Sequence, residues 1–112
     1  MSRKPDTERI VLPLRQRPHV FLRLVYELAE DSKNIAWSAH SRDRFTERDI
    51  TIRMAVSVLR NGQIRGDIIP GKHAGEWKAK MCFPIPGRRE VGVAMILIKE
   101  KRIFVKTVEW ED

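Results

Sequence analysis

The chain reads as an α+β domain in which two to three helices come first and an antiparallel sheet of about four strands lies against them in two layers. Three observations predict this. Apolar residues recur at the helical period up to Asn61-Gly62 and at period two after it. The links between the later segments are short, as antiparallel neighbours require. A length of 112 residues suffices for one core and not for two.

Residues 1–17 are charged, contain Pro5 and Pro13, and hold one brief apolar patch at Ile10-Val11-Leu12. They read as a flexible arm with a short strand at 8–12, ahead of a single domain over 18–112. Pro18 suits the first turn of a helix, where its missing N–H has no partner to lose. Phe21, Leu24, Val25, Leu28 and Ala29 then mark one face at the 3.6 period, and the helix is expected to end near Ser32-Lys33-Asn34. Trp37 introduces a second, polar helix. Asp49 or Thr51 can cap a third, in which Ile52, Ala55, Val56 and Leu59 form the apolar stripe and Asn61-Gly62 the stop.

Residues 63–69 read as the first strand, ended by Pro70-Gly71. Trp77, Ala79, Met81 and Phe83 alternate with Lys78, Lys80 and Cys82, the signature of a half-buried strand. Residues 90–98 are nearly all apolar and are expected to form the most buried strand. After a tight turn at Lys99-Glu100-Lys101, Ile103, Val105 and Thr107 alternate with Phe104, Lys106 and Val108 in the last one.

A net charge of +7 and a pI of 10.1 favour nucleic acid, anionic lipid or an acidic protein as partner, against a plain role in solubility. One cysteine, Cys82, excludes an internal disulfide framework and suits a reducing cytosol. The longest apolar run, 91–98, is too short to span a bilayer, and Met1 to Asp6 lack the apolar region of a signal peptide. The expected place is the cytoplasm, away from membranes. Three histidines far apart in sequence make no metal site, and no cofactor is expected. Gly71-Lys72 lacks the spacing of a phosphate-binding loop. Ser38, Ser41 and Asp43 near His40 lack the glycines of a nucleophile elbow.

The polar helix carries the chemistry. His40, Arg44 and Arg48 stand at i, i+4 and i+8, one slowly drifting stripe on a helix with almost no apolar face. An imidazole beside two guanidinium groups can bind and process a phosphodiester. His40 would be the acid or base, with Arg44 and Arg48 clamping the phosphate. Lys78 and Lys80 share a strand face and, with Arg42, extend the basic surface for nucleic acid. Thr107 is a further candidate across the sheet. His73, on a glycine-bounded loop, is a candidate second proton carrier, whereas His19 reads as a surface or cap residue. The competing reading is that His40 and Arg44 bond to backbone or to Glu109 and lock the helix onto the sheet.

The pattern His40-x3-Arg44-Phe45-x2-Arg48-x-Ile50-Thr51, the helix ending at Gly62 and the terminal pair Thr107-Val108 resemble the bacterial and phage family catalogued as domain of unknown function 4258. The resemblance covers residues 37–108. It departs from the family pattern at Asp49, where the family usually has glycine. Asp tolerates a left-handed backbone better than most residues. The family's layout is similar to that of the ribonuclease toxins of the RelE type, which implies a metal-independent, RNA-cleaving or RNA-binding protein with a cognate antitoxin or other protein partner. The alternative is a non-catalytic module that binds nucleic acid or protein, such as a phage-encoded inhibitor of a host factor. A third option is a scaffold that dimerises through an exposed sheet edge.

Overall fold

The structure is a computed structural model describing residues 17–111. The arm expected over 1–17, with its strand at 8–12, therefore lies outside the described residues except for Arg17. Helix α1 (Pro18–Ala29) opens on its proline and buries Phe21, Val25 and Ala29, with Leu24 and Leu28 packed partly beside them. It stops short of the expected end. Asn34 Nδ2 donates to the Leu28 carbonyl at 3.1 Å, and residues Ser32–Asn34 form a separate 3-10 turn capped by Asp31.

Strand β1 (Ile35–Trp37) is too short to show any period in the sequence. Helix α2 (Ala39–Arg48) follows, and Asp49 ends it in the left-handed conformation at φ 56°. Thr51, rather than Asp49, caps helix α3 (Ile52–Asn61): its hydroxyl accepts the Met54 N–H at 3.0 Å. The buried stripe of α3 is Ala55, Val58 and Leu59. The expected Ile52 stays 53% exposed in the first turn, and Val56 is only half-buried. Gly62 then brings two backbones together. A Cβ there would stand 2.5 Å from the Val58 carbonyl oxygen and 2.7 Å from that of Cys82.

Strands β2 (Gln63–Pro70), β3 (Glu76–Pro84), β4 (Glu90–Ile98) and β5 (Arg102–Glu111) form the antiparallel meander. The sheet order is β1-β5-β4-β3-β2, with β1 parallel to β5, so the sheet has five strands and is mixed. The class, helices packed on a sheet in two layers, is as the sequence predicts. One sheet face carries Trp77, Met81, Val93, Leu97, Ile103 and Val108 into the core beneath α1 and α3. Among the described residues no element covers the other face, where Lys78, Ala94, Ile96 and Phe104 are half-exposed.

A bulge corrects the expected alternation of the last strand. Ala94 pairs with Thr107 but Met95 pairs with Val105, which leaves Lys106 as an extra residue. The phase flips there. Thr107 joins Phe104 on the open face, and Val108 is buried in the core. The free edge strand β2 is itself interrupted between Arg65 and Ile69, where Gly66 takes φ 87°, and it ends on Pro70. Such an edge resists pairing with a second copy.

Candidate nucleic-acid interface

Helix α2 has little apolar surface, so hydrogen bonds at its two ends fix its position. At the start, the Ser38 hydroxyl accepts the Ser41 N–H at 2.9 Å and donates to the Lys106 carbonyl at 2.8 Å. The Ser38 N–H also donates to the Val105 carbonyl at 3.0 Å. The helix cap is thus fastened to the β5 bulge. In the middle, Phe45 meets the Trp37 ring edge-on, with centroids 5.5 Å apart. At the far end, Trp110 Nε1 donates to the Arg48 carbonyl at 2.5 Å.

This placement sets the stripe of His40, Arg44 and Arg48 along β5. Arg48 is engaged there: Nη1 lies 3.4 Å from the Val108 carbonyl oxygen and 3.6 Å from Glu109 Oε1. Arg44 pairs with Glu47 on its own helix, while its Nε is buried without a hydrogen-bond partner. Among the described residues His40 makes no hydrogen bond or ion pair, and it is exposed. It lines a cavity of ≈ 330 Å³ with Ser38, Phe104, Lys106 and Thr107.

A second cavity, of ≈ 470 Å³, adjoins it and shares Phe104 and Lys106. Its walls include Lys72, His73, Lys78 and Ile96. The structure therefore brings His40, Thr107, Lys78 and His73 around one pair of hollows. Lys80 lines a third hollow of ≈ 300 Å³ beside them, with Lys78 and Lys106 again on its wall. Arg42 does not join. Two residues along a helix from His40, it turns about 200° away from the stripe. His19 is exposed on α1, in the helical layer.

The open face divides by charge. Toward the C-terminal end of β5, each cation has a carboxylate. Lys80 Nζ stands 2.7 Å from Glu111 Oε2 and 2.9 Å from Glu109 Oε2, and Arg65 stands 2.7 Å from Glu90. The hydrogen bond it donates to Glu111, with the one it donates to Glu109, holds the Lys80 ammonium up at about 12. The same lysine holds the Glu109 carboxyl below the usual range. Gly92 makes room for this cluster, because a side chain there would collide with Lys80 Cε and the Glu111 carboxylate. Burial pushes the neighbouring Cys82 thiol up, so it stays protonated and unreactive. Toward the 98–102 turn the picture reverses: Lys72, Lys78 and Lys106 have no anionic partner among the described residues.

A further cationic spot lies outside the groove, where Arg88 and Arg89 sit over the Trp110 ring at 4.8 and 5.7 Å and Arg88 meets Asp49 at 3.3 Å. Among the described residues no group of three or more His, Cys, Asp or Glu side chains could hold a metal ion, and no helix is long and apolar enough to cross a membrane. Phe104 and Lys72 are not among the candidate residues that the sequence pattern marks. The available signal for Phe104 was an aromatic residue on the polar side of an alternating strand. No family model, curated protein or solved structure matches the chain.

Proposed function

We propose that the open sheet face binds RNA in the cytoplasm and cleaves it without a metal, His40 carrying a proton. The observation that carries this reading is the gathering of unpaired lysines and two exposed histidines around the hollows that meet at Lys106. In such a reaction the ribose 2′-oxygen attacks the adjacent phosphorus while a base takes its proton. The 5′-oxygen leaves with a proton from an acid, and the products are a 2′,3′-cyclic phosphate and a 5′-hydroxyl. His40 fills one of these roles, and His73, across the Phe104–Lys106 ridge, is the candidate for the other. Lys78 and Lys106 supply positive charge near the phosphate. The resemblance to domain of unknown function 4258 and to RelE-type toxins supports the same chemistry, and with it a cognate antitoxin as protein partner.

The test is incubation of wild type, His40→Ala and His73→Ala with a mixed RNA pool in the presence of a chelator, read for new ends. Wild type is expected to release 5′-hydroxyl ends, and His40→Ala to lose roughly 10²-fold or more in rate. Its unfolding midpoint should not move, because His40 is exposed and makes no hydrogen bond. No cleavage by wild type would remove the catalytic half of the proposal.

One observation favours a second reading, a non-catalytic binding module. Arg44 and Arg48, the two arginines expected to clamp the phosphate, are already paired with Glu47 and Glu109. On that reading His40→Ala keeps full affinity for its partner. Lys78→Ala lowers affinity and flattens the salt dependence.

A further inference from the structure

We infer that the ligand of this face is a short single-stranded stretch of RNA, one base stacked on Phe104 and the adjoining phosphate held by Lys106. The inference rests on the RNA reading above and narrows it to a substrate class. Phe104 lies in a row that crosses the sheet in register from Lys78 through Ile96 to Phe104 and on to Ala36. Ala36 is exposed and small, and Ala94 in the neighbouring row is small too, so nothing bulky from those positions overhangs the ring. A half-buried aromatic on a sheet face that no described element covers is a surface on which a base of any sequence can stack.

Among the described residues, unpaired cations flank the ring. Lys106 is the bulge residue, which frees its side chain from the regular pleat and puts it on the wall shared by the two hollows. Lys72 and Lys78 stand on the far side of the second hollow, where the carboxylate of Glu76 is engaged by the His73 N–H at 3.2 Å. Beyond Lys80, the face carries Glu109, Glu111 and Glu90, each matched to a cation, so that end offers phosphates no net attraction. The site asks for an open base face on Phe104 and a phosphate at Lys106, and a duplex hides its base faces within its own stack. A few unpaired nucleotides meet both requirements.

The experiment is fluorescence anisotropy with a labelled six-nucleotide RNA, 2′-O-methylated so that it cannot be cut, alone and annealed to its complement. Wild type, Phe104→Leu, Phe104→Tyr and Lys106→Gln are compared, with circular dichroism on each. Wild type is expected to bind the single strand about 10-fold or more tighter than the duplex. Phe104→Leu, which keeps an apolar floor without a ring, should weaken binding by about 10-fold, and Phe104→Tyr should hold affinity within about 3-fold. Lys106→Gln should reduce the slope of log affinity against log salt by about 0.7. Equal affinity for single strand and duplex, with Phe104→Leu unaffected, would overturn this inference and leave RNA binding standing. Failure of wild type to bind either form would remove RNA binding itself, and this inference with it.

Discussion

Replacing Ser38 tests the joint between helix and bulge. Its hydroxyl does two things at once, accepting the Ser41 N–H at 2.9 Å and donating to the Lys106 carbonyl at 2.8 Å. Ser38→Ala removes both. Loss of an N-cap costs about 1 kcal/mol, and the bond to a part-exposed carbonyl, which water can replace, adds about 0.5 kcal/mol. The sum of about 1.5 kcal/mol corresponds to a fall in Tm of roughly 6–12 °C for a domain of this size. Ser38→Asp separates the two contributions: a carboxylate still accepts the Ser41 N–H but cannot donate to Lys106. It should recover most of the stability while removing one of the two bonds to the bulge, the Ser38 N–H to Val105 carbonyl bond remaining, and RNA affinity should fall. Ser38→Thr should keep both properties. Thermal melts and anisotropy on the three variants give the answer. If Ser38→Asp binds as wild type does, or if Ser38→Ala melts unchanged, the cap does not position Lys106.

Other perturbations address other parts of the fold. Gly62→Ala should destabilise by about 1–3 kcal/mol in denaturant titration, because the added Cβ meets the Val58 and Cys82 carbonyl oxygens and the backbones must part. In the 98–101 turn, Lys99 and Glu100 both hold positive φ, at 53° and 58°, without being glycine. Changing the pair to Asn-Gly should raise stability by about 1 kcal/mol, read as a higher midpoint with an unchanged slope. The Lys80 cluster predicts two pH limits. Lys80, raised from its ordinary 10.5 to about 12, contributes stability that is complete below 10.5 and lost as pH climbs through 12. Glu109, held low by Lys80, contributes stability present above 4.5 and lost as pH falls below it. Both side chains are part-exposed, so each edge should amount to less than about 1 kcal/mol. Lys80→Met should flatten both edges in melts across that range.

What local chemistry decides was legible in the chain. The periodic faces of α1 and α3 encode which residues leave water, and Phe21, Val25, Ala55 and Leu59 are buried as the pattern requires. Thr51 and Gly62 bound α3 because caps and stops act within one helical turn. Asp49 takes the left-handed conformation its residue type permits. The candidate stripe of His40, Arg44 and Arg48 is likewise local, since helical spacing alone aligns it.

Only the tertiary structure decided what that stripe faces. Three residues of β1 cannot signal a strand, yet their parallel pairing with β5 sets α2 beside the last strand. The bulge at Lys106 depends on how β5 registers against β4, a long-range fit that reversed the expected roles of Thr107 and Val108. Charge alone suggested that Arg48 and Lys80 would receive a phosphate. Glu109 and Glu111, distant in sequence, reach them across the folded sheet and neutralise that end. Among the described residues Lys72, Lys78 and Lys106, around Phe104, are left without an anionic partner. A sequence shows each residue's own preference for water, charge and backbone shape. Which distant partner satisfies that preference is settled by the packing of the whole chain.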